Sequence, residues 1–165
     1  FIHRLYTQTQ TQTQTESTSM KHILSLFLIL ALSACSEYLP IAGGELEGTV
    51  SPLPADWREL AATNIIQLES TGEARYSVNL WMVEVDGAPH VFAGDNQTQW
   101  VKNITGNQNV RLKIGEAIFE LRAHRVNDAG VFETFAQTWE SKYGNRPRNE
   151  NVDETFLFRL SPRGV

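Results

Sequence analysis

The chain contains little cysteine and little positive charge, and both shortages limit what it can be. Cys35 is its one cysteine, so an intramolecular disulfide cannot form and a packed core must hold the fold together. Fourteen Lys and Arg stand against 19 Asp and Glu, which gives a formal net charge of −5. Because nucleic-acid binding requires a basic surface, we expect no nucleic-acid partner.

Catalytic and metal-binding patterns are also missing from the sequence. It contains no HExxH motif, no Ser-centred nucleophile elbow and no phosphate loop, so the catalytic residues stay unknown. Of the histidines after Cys35, neither His90 nor His124 has a second ligand at metal-binding spacing, and we predict no metal site. His124 shares a predicted strand face with Glu120 and Arg122, which could be a polar lumen or solvent. We interpret both histidines as solvated or hydrogen-bonded side chains.

One uncharged hydrophobic run is present, residues 23–32 (ILSLFLILAL), directly after Met20-Lys21-His22. Its ten residues are too few to span a bilayer, which needs about 20, but a basic start and a short apolar stretch are typical of a secretory signal peptide. Residues 1–19 contain a Thr-Gln repeat that cannot bury enough surface to fold. We interpret them as translated upstream sequence with Met20 as the true start; the alternative is a genuine disordered extension.

The run ends in Leu32-Ser33-Ala34-Cys35, which resembles the lipobox of bacterial lipoproteins. The resemblance implies cleavage between Ala34 and Cys35, with the Cys35 sulfur then carrying a diacylglycerol. Two or more acyl chains anchor a protein stably, so we expect membrane lipid as a partner through acylated Cys35. Ser36 in the next position favours the outer membrane over the inner one by the same resemblance, with the domain facing the periplasm or the exterior. An ordinary signal peptide, or a first helix with a buried inert cysteine, is the alternative.

The predicted organisation is a signal peptide at 20–34, a lipidated Cys and tether at 35–54, and one domain at 55–165. The tether is predicted because residues 36–54 contain three Gly and three Pro. The remaining length is enough for a single domain with its own core.

The domain shows strand patterns separated by turn signals. Alternating apolar residues predict about six strands, and Asp86-Gly87 predicts a hairpin between two of them. Two or three short helices are predicted. One is capped by Asp128 and ended by Gly144, one lies over 97–104, and a further one could start near Pro54. The six predicted strands cover residues 65–68, 76–85, 89–93, 109–114, 117–126 and 155–160. This order predicts a mainly β fold, an antiparallel β-barrel with two or three short flanking helices.

A more specific resemblance rests on two stretches of the sequence. They are residues 80–107 (LWMVEVDGAPHVFAGDNQTQWVKNITGN) and residues 132–147 (FETFAQTWESKYGNRP), the second followed by a last strand ending in SPR. Together they resemble the split β-barrels of deazaflavin-dependent nitroreductases, which belong with the pyridoxamine-phosphate-oxidase-like flavin binders. The late helix ending in KYG is closer to a related group of small bacterial domains of unassigned function.

The resemblance implies that a cofactor phosphate would lie at the turn after the hairpin, where helix-start N–H groups attract anions. The ligand-binding positions implied are Gly94, Asn96, Trp100, Lys102 and Asn103. The turn is acidic at Asp95, and Lys102 is the one basic residue between Arg75 and Arg111. We therefore predict no cofactor, with FMN or a deazaflavin as the alternative. For Trp100 and Lys102 we favour a core side chain beside a surface one over a ligand-binding role.

These observations lead to a functional hypothesis with two alternatives. The first is a lipid-anchored cell-envelope protein whose split-barrel domain binds an envelope protein or a small molecule without catalysis. The second is a flavin- or deazaflavin-dependent oxidoreductase, and the third is a purely structural envelope component.

Overall fold

The computed structural model describes residues 43–94 and 97–164, so the predictions on Ala34, Cys35 and Asn96 lie outside the described residues. The described part contains two α-helices, α1 (Gln99–Gly106) and α2 (Ala129–Tyr143), and one 3₁₀ turn at Leu60–Ala62. Its strands are β1 (Thr49–Val50), β2 (Ile66–Thr71), β3 (Arg75–Leu80), β4 (Met82–Val85), β5 (Ala88–Phe92), β6 (Asn109–Ile114), β7 (Ala117–Arg125) and β8 (Leu157–Pro162).

The strands form one sheet in the order β3-β2-β6-β7-β8-β5-β4, with every neighbouring pair antiparallel and β1 added parallel to β7. The strands at the two ends of this order, β3 and β4, are consecutive in the chain and separated only by Trp81. The sheet must therefore curl until its ends meet at Trp81. This arrangement is a split β-barrel and confirms the predicted fold class.

The predicted strand over residues 76–85 is in fact two strands. Around Trp81 the alternation is lost, because Met82 and Val83 are both buried. Met82 faces the barrel interior and Val83 faces α2, so the first two residues of β4 are buried on opposite faces, and Glu84 is the one polar residue of this strand. A period of two therefore cannot show where one strand ends and the next begins.

The turns and caps follow the sequence closely. Asp86 and Gly87 both have positive φ, 50° and 75°, as the two-residue turn between β4 and β5 requires. Asp128 Oδ1 accepts a hydrogen bond from the Val131 amide at 2.9 Å, and Gly144 ends α2 with φ of 81°. The helix predicted near Pro54 is only a 3₁₀ turn, although Trp57 is buried against Phe119.

The core has two parts, one inside the barrel and one between the sheet and α2. The barrel interior contains Leu68, Leu112 and Leu121, each of which is at most 1% exposed to solvent. The second part is aromatic, and its α2 side consists of Phe132, Phe135, Ala136 and Trp139. The helix thus covers the outer face of β4 and β5.

Part of the segment predicted as a tether lies against the barrel. We call residues 43–51 the N-terminal strap. Leu46 is buried, the Thr49 amide donates to Glu116 O at 2.8 Å, and Lys113 Nζ donates to Glu47 O at 2.7 Å. The strap therefore covers the outer face of β2, β6 and β7.

Among the residues that the structure describes, neither helix has the length and apolar character needed to cross a membrane.

Candidate functional site

A polar groove of about 750 Å³ lies between the β2–β3 hairpin and α1, and we call it the α1 groove. Small-molecule sites commonly have volumes of about 300–1,000 Å³. The hairpin and helix residues that line it are Thr71, Gly72, Glu73, Ala74, Arg75, Tyr76, Gln99, Lys102, Asn103, Gly106 and Asn107.

Asn103 fixes the back of the groove. It is 7% exposed, its Nδ2 donates to Ser70 Oγ at 3.1 Å, and its Oδ1 accepts from Gln99 Nε2 at 2.8 Å. Gly72 lies so close that an added Cβ would collide with Asn103 Oδ1. The hairpin and the helix therefore meet at one rigid polar contact, and Gly72 is required by this close approach.

The charges at the groove are positive on balance. Arg75 and Lys102 stand against Glu73 among the lining residues. Arg75 Nη1 donates to Glu69 Oε1 at 2.7 Å, and this hydrogen bond raises the pKa of Arg75 and orients its guanidinium. Lys102 is exposed on α1. The groove can therefore attract a ligand with a negative group, although the chain as a whole is acidic.

The structure brings together only some of the predicted ligand-binding residues. Lys102 and Asn103 both line the groove. Trp100 is 3% exposed and packs in the barrel core with its ring centroid 5.6 Å from that of Phe158. Gly94 has a φ of 61°, and its carbonyl accepts a hydrogen bond from the Phe156 amide at 2.9 Å. The four described members therefore do not form one cradle for a cofactor phosphate, and in that respect they do not fit a flavin.

Sequence reasoning missed the hairpin side of the groove. Thr71, Gly72 and Arg75 follow a strand pattern, and Ser-Thr-Gly between two such patterns is a recognisable turn signal. No signal in the sequence shows, however, that this hairpin faces α1. That contact depends on the pairing of β2 with β6, which are about 40 residues apart.

The two histidines differ sharply in their surroundings. His90 is 1% exposed, with Nδ1 3.0 Å from Ala88 O and no partner for Nε2 among the described residues. Burial lowers the pKa of His90, so its imidazole is neutral at neutral pH. His124 is exposed. Within residues 43–94 and 97–164, no group of three or more His, Cys, Asp or Glu could hold a metal ion.

A second, apolar cleft of about 360 Å³ lies where β3 and β4 meet, lined by Ile65, Asn79, Leu80, Trp81, Phe92 and Trp139. Trp81 is 45% exposed and stacks on Tyr143 with ring centroids 4.6 Å apart. The volume of this cleft is about half that of the α1 groove, and the residues that line it are almost all apolar. Such a lining suits packing or an apolar ligand better than a charged one.

No protein-family model matches this sequence, and no curated protein matches it. Several solved structures are similar. A proposed pyridoxamine 5′-phosphate oxidase from Listeria innocua has a TM-score of 0.50 at 14% identity, over 64% of this chain and 88% of its own. ChuZ from Campylobacter jejuni has a TM-score of 0.53 at 11% identity, over 62% of this chain and 50% of its own. A FAD-binding protein from Mesorhizobium loti has a TM-score of 0.48 at 15% identity, over 64% and 83%.

These comparisons place the fold. The chain has the split β-barrel of the pyridoxamine-phosphate-oxidase-like proteins, which confirms the fold part of the predicted resemblance. Identities of 11–15% show the fold alone, and one such fold hosts many functions. The ligand and the chemistry of this chain therefore depend on its own residues.

Proposed function

We propose that this chain is a lipid-anchored cell-envelope protein whose split-barrel domain binds a small polar ligand in the α1 groove without catalysis. The observation that carries the proposal is the groove itself. It has the volume of a ligand site and a polar back wall held rigidly by Asn103. Fixed polar groups of this kind orient a ligand at little entropic cost.

We propose binding rather than catalysis because Asn103 and Arg75, two polar residues of the groove, already have hydrogen-bond partners. Asn103 is already hydrogen-bonded on both sides, and Arg75 is paired with Glu69. Neither is a nucleophile next to a base, the arrangement that covalent catalysis needs. Lys102 and Tyr76 remain as exposed lining groups that can contact a ligand.

The groove is tested by filling it. Gly106 lines it, and an added Cβ there meets nothing within 4 Å, so Gly106→Trp should occupy the space without disturbing the core. The purified protein would be screened by thermal shift against a panel of amino acids, monosaccharides, nucleosides and small carboxylic acids. A ligand of the groove should raise the unfolding temperature of the wild type and of Gln137→Trp, an exposed control on α2, but not of Gly106→Trp. Equal shifts in all three proteins would reject the groove.

The anchor has its own test, which does not depend on the groove. Labelled palmitate should enter the wild type in bacterial cells and not Cys35→Ser, since the thiol is the predicted attachment point. The wild type should also fractionate with membranes and the variant with the soluble fraction. Equal labelling of both proteins would defeat the lipoprotein proposal while leaving the ligand proposal standing.

The alternative is a flavin- or deazaflavin-dependent oxidoreductase, which the fold likeness to the Listeria innocua protein favours. A bound flavin would supply hydride transfer, and Lys102 and Arg75 are the cations that line the α1 groove. A yellow preparation, or saturable FMN binding lost in Lys102→Ala and kept in Lys113→Ala, would support this alternative. A colourless protein that binds neither FMN, a deazaflavin nor pyridoxal phosphate would remove it.

A further inference from the structure

A small pocket of about 160 Å³ lies on the outer side of the barrel, separate from the α1 groove except where Thr71 and Arg75 border both. We call it the arginine pocket. Its lining residues, from β2, β3, β6, β7 and the chain after β8, are Glu69, Thr71, Arg75, Asn109, Val110, Arg111, Glu120 and Arg163. Three guanidinium groups thus line one small polar space.

Glu69 forms the buried wall of the pocket. Its side chain is 1% exposed and accepts hydrogen bonds from the Leu46 amide, from Arg75 Nη1 at 2.7 Å and from Arg111 Nη1 at 3.1 Å. Burial alone would raise the pKa of Glu69, but the Leu46 amide and the two arginines together lower it. Glu69 is therefore a fixed carboxylate that orients Arg75 and Arg111.

Arg163 is held on the opposite side by the backbone. Its Nη2 donates to Val110 O at 2.9 Å, its Nε donates to Leu121 O at 3.3 Å, and its Nη1 donates to Glu120 Oε1 at 3.0 Å. Arg111 has a side chain only 13% exposed. The guanidiniums are therefore positioned before any ligand arrives, which lowers the entropic cost of binding one.

The pocket has an excess of positive charge that only a weak partner balances. Its lining contains three arginines and two glutamates, which leaves one positive charge. Glu45 of the N-terminal strap supplies the remaining carboxylate, 3.4 Å from Arg75 Nε and from Arg111 Nη1, with its side chain 59% exposed. Both contacts are long for a hydrogen bond, and exposed ion pairs are weak. An anion with better geometry can therefore displace Glu45.

We propose that the arginine pocket binds the phosphate group of a small anion and that Glu45 competes with this anion at the rim. Guanidinium groups match phosphate oxygens in geometry and charge. At about 30 Å³ per water molecule, 160 Å³ equals about five waters, enough for a phosphate and a short organic stub. The phosphate can be free, part of a soluble monoester, or part of a lipid headgroup.

The primary test is calorimetric titration of the purified full-length chain with inorganic phosphate at low salt. Arg163→Gln should weaken binding at least about tenfold, whereas Arg122→Gln, an exposed β7 arginine outside the pocket, should change it less than about twofold. Glu45→Gln should strengthen binding by about threefold or more, because it removes the competing carboxylate. This gain of affinity does not depend on whether Arg163→Gln folds well.

Three results would overturn the proposal. They are the lack of saturable binding up to about 10 mM phosphate, equal losses in Arg163→Gln and Arg122→Gln, and weaker binding in Glu45→Gln. Titrations with glycerol 3-phosphate and with vesicles of phosphatidylglycerol or phosphatidylcholine distinguish free phosphate, a soluble monoester and a lipid headgroup as the ligand. Tighter binding of glycerol 3-phosphate than of phosphate supports a monoester ligand. Binding to phosphatidylglycerol vesicles that Arg163→Gln abolishes supports a headgroup.

Discussion

Lys142 joins three separate parts of the chain at the meeting point of β3 and β4. Its ammonium donates hydrogen bonds to the carbonyls of Ala61 at 2.6 Å, Thr63 at 2.7 Å and Met82 at 2.8 Å. All three of its protons therefore have backbone acceptors, and burial lowers the pKa of Lys142. We predict that Lys142→Met, which keeps an unbranched apolar stem and removes only the charged donor, destabilises the fold strongly.

The size of the effect follows from the three bonds. A hydrogen bond contributes about 1 kcal/mol net, and one from a charged donor somewhat more, while an orphaned buried acceptor costs about 1–3 kcal/mol. The site is partly exposed, so water can reach some of the freed carbonyls and the lower values apply. The free energy of unfolding should fall by about 2–4 kcal/mol, a large share of the total for a domain of this size.

Urea unfolding followed by tryptophan fluorescence measures this change. Lys102→Met is the matched control, because Lys102 is an exposed lysine on α1, and it should shift the free energy of unfolding by less than about 0.5 kcal/mol. A loss below about 1 kcal/mol in Lys142→Met, or equal losses in the two variants, would show that the three carbonyl contacts do not hold this part of the barrel together.

Three further changes test other parts of the structure. Burial lowers the pKa of His90, so the unfolded chain takes up the proton first as the pH falls below about 6.5. The free energy of unfolding should therefore drop by up to about 1.4 kcal/mol per pH unit. Urea midpoints at pH 7 and 5.5 should show this loss in His124→Gln and not in His90→Gln. Gly72→Ala should cost about 1–3 kcal/mol because its Cβ collides with Asn103, whereas Gly106→Ala, with open space around it, should be neutral or stabilising; equal thermal shifts would contradict this. Asp128→Ala should cost about 1 kcal/mol by removing the α2 cap, and an unchanged denaturation midpoint would refute that role.

The features that sequence reasoning predicted correctly are those set by neighbouring residues. Asp86-Gly87 forms the turn because these residue types tolerate positive φ. Asp128 and Gly144 begin and end α2 for equally local reasons. The alternation over β6 and the barrel-facing half of β7 reproduces the buried and exposed residues, since one face of each strand lies in the core.

The features it did not predict depend on which surfaces meet. Residues 43–51 look like a linker, yet they are bound to the barrel because Glu69 and Ile118 need cover. The break at Trp81 is invisible in the pattern because Met82 and Val83, on opposite faces of β4, are both buried. Trp100 packs in the core and Lys102 lies on the surface, as expected, but the pattern did not predict that Lys102 would share a groove with the β2–β3 hairpin.

Local patterns were enough to predict the fold class and the order of most elements, because strand alternation, turn chemistry and helix caps act over a few residues. The lipobox-like stretch around Cys35 is equally local, and the predicted location at the membrane depends on it. The places where polar side chains converge depend instead on long-range strand pairing. The α1 groove exists because β2 pairs with β3 and β6, and the arginine pocket also needs the pairing of β6 with β7 and of β7 with β8. These pairings bring residues about 30 to 90 positions apart to the same surface, and no local pattern records them.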